Sequence, residues 1–138
     1  MARSTLCIDT DILIDFLRSR GTQATLLESA VDRHICVLPS IAMYEICFGI
    51  ERHGRLEDWP RLQRLFGTLE VLPFDLRAAR VSAQLDVALQ KRGLRLDFPD
   101  LFIAGICVAN RVPLLSRNVA HFARVPRLVL VDPQELLP

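Results

Sequence analysis

Residues 5–18 read TLCIDTDILIDFLR, and this stretch indicates the fold because an apolar run meets two acids where its pattern changes. Residues 5–8 have the apolar character of a short buried strand, and residues 11–18 have the spacing of an amphipathic helix. Asp9 and Asp11 therefore lie at a strand-to-helix junction. A carboxylate there can cap the helix or bind a ligand, and the sequence leaves both roles open for each acid.

The same alternation of short apolar strands and helices continues along the chain. Further strands are predicted at residues 35–38, 70–72, 114–115 and 128–131. Further helices are predicted at residues 22–33 (with Thr22 as N-cap), 40–53, 56–69, 76–92 and 99–111. This order is typical of a parallel sheet covered on both faces. We therefore expect an α/β fold, a three-layer α/β/α sandwich with a short parallel central sheet, as a single domain over residues 1–138.

Composition indicates a globular, cytoplasmic protein without membrane contact. The chain is 51% apolar, and its longest apolar run, residues 101–109, is too short to span a bilayer. Asp9 interrupts the N-terminal region before a signal-peptide apolar segment can form. A net charge of +1 gives no long-range attraction to nucleic acid. The four cysteines have no zinc or redox spacing and are expected to be buried, reduced thiols.

Polar side chains cluster at the predicted carboxyl ends of the strands, which is where parallel sheets bind ligands. The first strand is followed by Asp9 and Asp11, and the second by Ser40 and, one turn later, Glu45. The strand at 114–115 is followed by Ser116, Arg117 and Asn118, and the helix before that strand begins with Asp97 and Asp100. The predicted architecture allows these groups to converge.

Each acid also has a purely structural interpretation. Glu45 can be an exposed position in an apolar helix, and Asp97 suits an N-cap. Asp100 can answer the helix dipole, an effect of about 0.3–1 kcal/mol. However, Asp100 directly precedes LFIAGICVA, a helix that is expected to be buried all round, and an acid entering such a helix needs a partner. His121 lies nearby in the sequence, and a local polar role is favoured for it over metal binding.

Convergence of Asp9, Glu45 and Asp100 would have a clear electrostatic consequence. At an effective dielectric constant of about 20, two ionised carboxylates about 5 Å apart repel by roughly 3 kcal/mol. Such a cluster would hold extra protons at neutral pH or bind a cation. Ligands that are all oxygen favour a hard ion, Mg²⁺ or Mn²⁺.

Three segments together resemble a known family. They are CIDTDILIDFL (residues 7–17), LPSIAMYEICFGI (38–50) and DFPDLFIAGICVANRVPLLSRNVAHFARV (97–125). In this order and spacing the sequence resembles the PIN-domain ribonucleases, most closely the VapC-type toxins of toxin–antitoxin pairs. The resemblance covers nearly the whole chain and implies a PIN-like fold and hydrolysis of RNA phosphodiester bonds.

The resemblance also assigns roles by motif position. Asp9, Glu45 and Asp100 match the family's first, second and third metal-binding acids, and Mg²⁺ or Mn²⁺ is the implied cofactor. A fourth acid is common in a TRD- or TRN-like segment, but here the segment is Ser116-Arg117-Asn118, so an amide replaces that carboxylate. His121 stands where many relatives have a further acid. This departure from the family pattern concerns the occupancy of a second metal site. It does not remove the first site. Asn118 is expected to bond a water at the metal, and the expected accessory residues are Ser116, Asp97 and Asp11.

The implied partners are RNA, a cognate antitoxin that wraps the toxin, and a second copy of the chain in a homodimer. Candidate RNA contacts, chosen by chain proximity to the strand ends, are Arg18, Arg20, Arg111 and Arg117. The apolar surface expected to receive the antitoxin lies near Phe16, Leu17, Phe48 and Trp59.

Two other functions fit parts of the sequence. In a haloacid-dehalogenase-like phosphatase, Asp9 would be a phosphorylated nucleophile and Asp11 the acid/base. That chemistry needs a lysine near the phosphate, and the only lysine, Lys91, lies in a long helix. In a catalytically silent module the acids would serve RNA or partner docking alone. A covalent acyl-phosphate on Asp9 would indicate the first, and a lack of metal-dependent cleavage the second.

Overall fold

The structure is a computed structural model and describes residues 2–19 and 25–136. Within these ranges a five-stranded parallel sheet has the order β3-β2-β1-β4-β5. Its strands are β1 (Thr5–Ile8), β2 (Ile35–Pro39), β3 (Glu70–Leu72), β4 (Leu114–Leu115) and β5 (Leu130–Val131). All the strands are short, so the sheet mainly fixes where each following helix begins.

The described ranges contain seven α-helices, and several of them are capped by recognisable sequence signals. They are α1 (Thr10–Arg18), α2 (Leu26–Arg33), α3 (Ser40–His53), α4 (Trp59–Thr68), α5 (Leu76–Lys91), α6 (Phe98–Asn110) and α7 (Val119–Phe122). Thr25 and Glu28 form a reciprocal capping box at the start of α2, and Asp75 accepts a hydrogen bond from the Ala78 amide at the start of α5. Gly54, at φ 65°, ends α3 in the left-handed conformation that glycine adopts without strain. In the two described ranges no helix has both the length and the apolar character needed to cross a membrane.

Alternation along β1 divides the core into two layers. Leu6 and Ile8 point to one face of the sheet and pack with α1 to α4, while Cys7 points to the other and packs with α5, α6 and α7. Both faces of the sheet are therefore covered. The predicted three-layer α/β/α sandwich is confirmed.

The cysteines are free thiols in this core, as expected. Cys7, Cys36 and Cys107 are buried, and Cys47 is half-buried. Burial raises the pKa of the Cys36 thiol to about 11, so this group stays protonated at neutral pH.

Three of the differences from the predicted helices have local reasons. The single helix predicted at 56–69 is a 3-10 turn, Leu56–Asp58, followed by α4, because Pro60 fits only in the first turn of a helix. The helix predicted from Thr22 begins at Leu26 behind the Thr25 cap, and Thr22 itself lies outside the described residues. Helix α7 was not predicted, since four residues are too few to show a helical period.

The order of the strands creates one switch point, between β1 and β4. The chain moves from β1 through β2 to β3 on one side and then returns to place β4 and β5 on the other. The Asp9 amide donates to the Leu115 carbonyl over 3.0 Å, which holds the two strand ends together. In open parallel sheets, the crevice beyond such a point is where ligands bind.

Helices α5 and α6 approach closely at Gly105. A Cβ atom on Gly105 would overlap the Ser82 hydroxyl and lie 3.0 Å from Ser82 Cβ and 3.1 Å from the Ala78 carbonyl oxygen. Gly49, inside α3, has no atom within 4 Å of the corresponding position, apart from its own chain neighbours and helix backbone. The two glycines therefore provide a matched pair of helix-interior sites with opposite steric surroundings.

We expect Gly105→Ala to destabilise the protein by about 1–3 kcal/mol, because the added methyl forces α5 away from α6. We expect Gly49→Ala to stabilise it by about 0.5–1 kcal/mol through the backbone preference of alanine for helix. Urea denaturation of both variants measures the difference. A neutral or stabilising Gly105→Ala would contradict the close packing described here.

Candidate active site

Asp9 lies at the switch point and connects β1, α1 and β4. It is the N-cap of α1, and its side chain is 6% exposed. Its Oδ1 accepts a hydrogen bond from the Thr10 amide over 2.8 Å, and its Oδ2 accepts one from the Ser116 hydroxyl over 2.7 Å. The structure thus settles the choice between Asp9 and Asp11 as N-cap in favour of Asp9, and capping leaves Asp9 available as a ligand.

Ser116 and Asn118 form the support for Asp9 on the β4 side. Ser116 is fully buried, and its hydroxyl donates to Asp9 while accepting a hydrogen bond from the Asn118 amide over 3.0 Å. The backbone of Asn118, and not its side chain, is therefore what connects this residue to the acid.

Thr10 joins the first acid to the second. Its amide donates to Asp9, and its hydroxyl donates to Glu45 Oε1 over 2.7 Å. Glu45 is half-buried on the face of α3 that looks back towards the start of α1, so it is not the merely exposed position that the sequence also allowed. Sequence reasoning did not single out Thr10; its position between two acids at a helix start was the available signal.

Asp100 meets His121, which supplies the partner that an acid on a buried helix needs. His121 Nε2 lies 3.1 Å from Asp100 Oδ2, and Arg124 Nη2 lies 2.8 Å from His121 Nδ1. The local polar role expected for His121 is what the structure shows. Arg124 was not anticipated, although its spacing of three residues from His121 suits one face of a helical turn.

Asp11, Asp97 and Arg117 surround the three central acids. Asp11 Oδ2 accepts a hydrogen bond from the Arg117 amide over 3.0 Å, while its Oδ1 is buried without a hydrogen-bond partner among the described residues. The Arg117 guanidinium pairs with Asp15 over 3.2 Å and is about half exposed. Asp97 is the N-cap of α6 by position.

Burial and mutual repulsion raise the pKa of every central acid. Burial, followed by repulsion from Asp11 and more weakly from Asp100, raises the pKa of Asp9 to about 7, against the hydrogen bonds from Ser116 and Thr10. Burial and then Asp100 raise the pKa of Glu45, which the Thr10 hydroxyl lowers. Burial and Asp97 raise the pKa of Asp100, which His121 lowers. The acids therefore lie close enough to repel one another.

The donor set fits a hard divalent cation in its chemistry. All three central groups are carboxylates under repulsion, and a further carboxylate oxygen, Asp11 Oδ1, is buried beside them without a partner. Even so, no three His, Cys, Asp or Glu side chains within residues 2–19 and 25–136 are arranged to hold one ion together. Each acid instead accepts a hydrogen bond from its own neighbour: Ser116, Thr10 or His121. The shared ligand set stays a prediction.

The candidate RNA-binding arginines separate in the structure. Arg117 lies at the acidic edge, and Arg18 lines a groove between α1 and α3 that also contains Glu45. Arg111 ends α6, about 16 Å along the helix from Asp100, at the opposite edge of the sheet. Its inclusion is corrected, because it precedes β4 and so lies at the strand's amino end. Arg20 lies outside the described residues.

The surface proposed for a protein partner also needs correction. Leu17 is 6% exposed and belongs to the core, and Trp59 packs against the same core. Phe48 is 51% exposed, and Phe16 lines a groove with residues of α2 and α4. Of the four residues, only Leu17 is buried; Phe16 and Trp59 are half-buried, and Phe48 is exposed.

A parallel α/β sheet with carboxylates at its switch point defines a class of protein whose ligands bind in the crevice at that edge. The family model of the PIN domain matches residues 6–128. The chain belongs to the PIN domain family, and the resemblance stated from the sequence is confirmed.

Named relatives agree with this assignment. The chain is 26% identical over 105 residues to Ribonuclease VapC2 of Rickettsia felis, covering 75% of this chain and 78% of that protein. Its fold is similar to that of DNA-bound VapBC from Salmonella typhimurium, with a TM-score of 0.84, 20% identity and coverage of 94% and 98% of the two chains. A toxin-antitoxin complex from Klebsiella pneumoniae gives a TM-score of 0.72 at 22% identity, covering 93% and 97%.

Family membership also decides between two of the functions considered. PIN-domain nucleases of the VapC type are metal-dependent. The phosphatase alternative loses its basis, because the family is different and Lys91 ends α5, about 24 Å along that helix from its start near the carboxyl edge of the sheet.

Replacing the buried carboxylate tests the electrostatics directly. Folded Asp9 keeps its proton up to about pH 7, whereas unfolded Asp loses it near pH 3.8, so ionisation of Asp9 destabilises the fold increasingly between these values. We expect Asp9→Asn to have little effect on the free energy of unfolding at pH 4. At pH 8 and without divalent ions, we expect it to stabilise the protein by about 1–3 kcal/mol, below the roughly 4 kcal/mol that the full shift implies, because Asn bonds Ser116 less well.

Urea denaturation at pH 4, 6 and 8 measures this difference. Asp32→Asn removes the same charge at an exposed position near the end of α2 and is expected to change the free energy of unfolding by less than about 0.5 kcal/mol at every pH. A gap between wild type and Asp9→Asn that stayed constant across pH would show that Asp9 titrates normally.

Proposed function

We propose that this PIN-domain protein is a metal-dependent endoribonuclease that hydrolyses RNA phosphodiester bonds as the toxin of a type II toxin–antitoxin pair. The observation that carries the proposal is the gathering of Asp9, Glu45 and Asp100, from three separate elements, at the switch point of a PIN-fold sheet. Relatives named ribonucleases and a structural neighbour that is a toxin-antitoxin complex support the substrate class and the biological role.

Asp9 and Asp100, with Glu45, would hold Mg²⁺ or Mn²⁺, since carboxylate oxygens are the ligands that these ions prefer. When bound, the cation activates a water for attack and offsets charge that develops on the phosphate. Burial, together with repulsion from neighbouring carboxylates, raises the three pKa values. A divalent charge would offset that repulsion, which favours cation binding.

The chain's own residues orient these acids. The Thr10 amide and the Ser116 hydroxyl hold the two oxygens of Asp9, the Thr10 hydroxyl holds one oxygen of Glu45, and His121 holds one oxygen of Asp100. Glu45 and Asp100 each keep a second oxygen for a ligand. Orientation in advance reduces the reorganisation needed when substrate binds.

Other residues at the edge would act on the RNA and on water. Arg117 is exposed beside the acids, and its guanidinium can exchange the Asp15 carboxylate for a substrate phosphate. Arg18 would contact RNA that follows the groove between α1 and α3. Asn118 would orient a water with its side-chain amide, and Asp11 and Asp97 would add negative charge near the cation.

A cognate antitoxin and a second copy of this chain are the proposed protein partners. The groove beside Phe16 is apolar, with Leu27, Val31, Leu65 and Leu69 among its lining residues, and suits a partner helix. The homodimer implied by the resemblance stays a prediction.

A catalytically silent binding module remains the second candidate. The observation that favours it is Asn118, where an amide replaces a carboxylate of the family pattern. A silent module would bind RNA with the same edge but show no cleavage that depends on Mg²⁺ or Mn²⁺.

We expect purified protein to cleave RNA only with Mg²⁺ or Mn²⁺, and Asp9→Asn or Asp100→Asn to lower the cleavage rate at least about 1,000-fold. Both variants should remain folded by circular dichroism, because each substitution keeps side-chain size. Gel analysis of a labelled total-RNA digest, with and without EDTA, measures the rate. Asp32→Asn, a change of the same charge near the end of α2 at the opposite edge of the sheet, should cleave as wild type does, and full activity in either active-site variant would refute the assigned site.

We expect expression of the chain without its antitoxin to slow bacterial growth, and the same two variants to relieve the arrest. Colony counts after induction measure this, with protein levels matched by immunoblot. Arrest that persisted with Asp100→Asn at equal expression would show that the toxicity does not come from RNA cleavage.

A further inference from the structure

Arg124 lies outside the acidic cluster but is connected to it through one side chain. Its Nη2 lies 2.8 Å from His121 Nδ1, and His121 Nε2 lies 3.1 Å from Asp100 Oδ2. Arg124 is held in place by its own contacts, since Nε donates to the His121 carbonyl over 3.2 Å and Nη2 donates to the Arg95 carbonyl over 3.3 Å. The side chains of Arg124, His121 and Asp100 thus form a chain of contacts that ends on a proposed metal-binding acid.

The chemistry of these three side chains determines which nitrogen of His121 carries the hydrogen. A guanidinium has only donors and remains protonated, so the group it faces must accept. His121 Nδ1 is therefore the acceptor, with its lone pair towards Arg124. A neutral imidazole with a free Nδ1 carries its hydrogen on Nε2, the atom that faces Asp100.

We propose that Arg124 is a positioning residue that selects the Nε2–H tautomer of His121, so that the ring donates to Asp100 Oδ2 and turns Oδ1 towards the cation. The consequence for catalysis rests on the proposed ribonuclease function, whereas the tautomer does not. If Arg124 were lost, the ring could also place its hydrogen on Nδ1 and present a lone pair to the Asp100 carboxylate, which would release that side chain. Replacing a residue that orients a metal ligand through hydrogen bonds, without touching the metal itself, typically changes metal affinity by 10–100-fold.

Two simpler roles for Arg124 give different results. A clasp between α7 and the segment before α6, made through the carbonyls of His121 and Arg95, would affect stability and leave the tautomer unchanged. A direct phosphate contact would weaken RNA binding whatever residue stands at position 121.

The first experiment reads the tautomer without metal or RNA. We expect ¹⁵N spectra of the metal-free protein at neutral pH to show His121 with Nε2 protonated and Nδ1 unprotonated, with assignment by loss of the signal in His121→Gln. In Arg124→Met the two nitrogen shifts should move towards each other as the tautomers mix, and Arg124→Lys should restore most of the difference. Arg92→Met removes a charge that contacts the Arg124 carbonyl and does not reach the ring, so it should leave the shifts as in wild type.

A wild-type ring protonated on Nδ1, alone or together with Nε2, would overturn the proposal. So would Arg124→Met with unchanged His121 shifts in a protein that remains folded by its amide spectrum. Arg124→Lys keeps the test open if Arg124→Met fails to fold, because a folded lysine variant whose two His121 nitrogen shifts had moved towards each other would also overturn the proposal.

The second experiment asks whether the tautomer affects the metal site. We expect Arg124→Met to lower Mn²⁺ affinity by about 10-fold in calorimetry. In a His121→Gln background the same change should lower it less than twofold, because Arg124 then has no ring to orient. An equal loss in both backgrounds would refute action through His121, and a rise in KM for RNA alone would indicate phosphate contact. If no RNA is cleaved under any condition, the ribonuclease proposal fails, while the spectra and the Mn²⁺ titrations still decide this one.

Discussion

The hydrogen bond from Ser116 to Asp9 holds a carboxylate inside the protein at the switch point between β1 and β4. In the described sheet, this is the only point at which the chain leaves two neighbouring strands in opposite directions. The bond is 2.7 Å long and buried, and it crosses from β4 to β1. Desolvation dominates the behaviour of Asp9 and raises its pKa to about 7. A fold selected for stability alone would not keep an acid there, so the position indicates a functional use of its charge.

The hydrogen bonds around the site are shared out among the acids rather than concentrated on one. Thr10 serves Asp9 and Glu45 together, Ser116 serves Asp9, and His121 serves Asp100. Each donor lowers the pKa of the carboxylate it contacts, against the burial that raises it. Together these effects leave the pKa of Asp9 at about 7 and the pKa values of Glu45 and Asp100 above their usual range, while the hydrogen bonds limit how far each side chain can turn.

Strand positions and the grouping of acids could be predicted from sequence because both follow from period and order along the chain. β1, β3 and β4 have the predicted bounds. Asp9 follows β1, Glu45 lies in the helix after β2, and Asp100 begins the helix that leads back to β4, so all three come to the carboxyl edge of the sheet. Arg111 shows the limit of chain proximity, since a residue just before a strand lies at the opposite edge from one just after it. Thr10 and Arg124 depend on side-chain direction, which spacing alone does not determine.

The fold also supplies positive potential where the acids gather. Asp9 caps α1, and Asp100 lies in the first turn of α6, so two helix N-termini point their free amides and partial positive charge at the cluster. Helix α1 begins at this edge because β1 ends there, and α6 begins there because it returns the chain to the amino end of β4. The same geometry that brings carboxylates into repulsion therefore offsets part of it. A divalent cation would relieve the remainder.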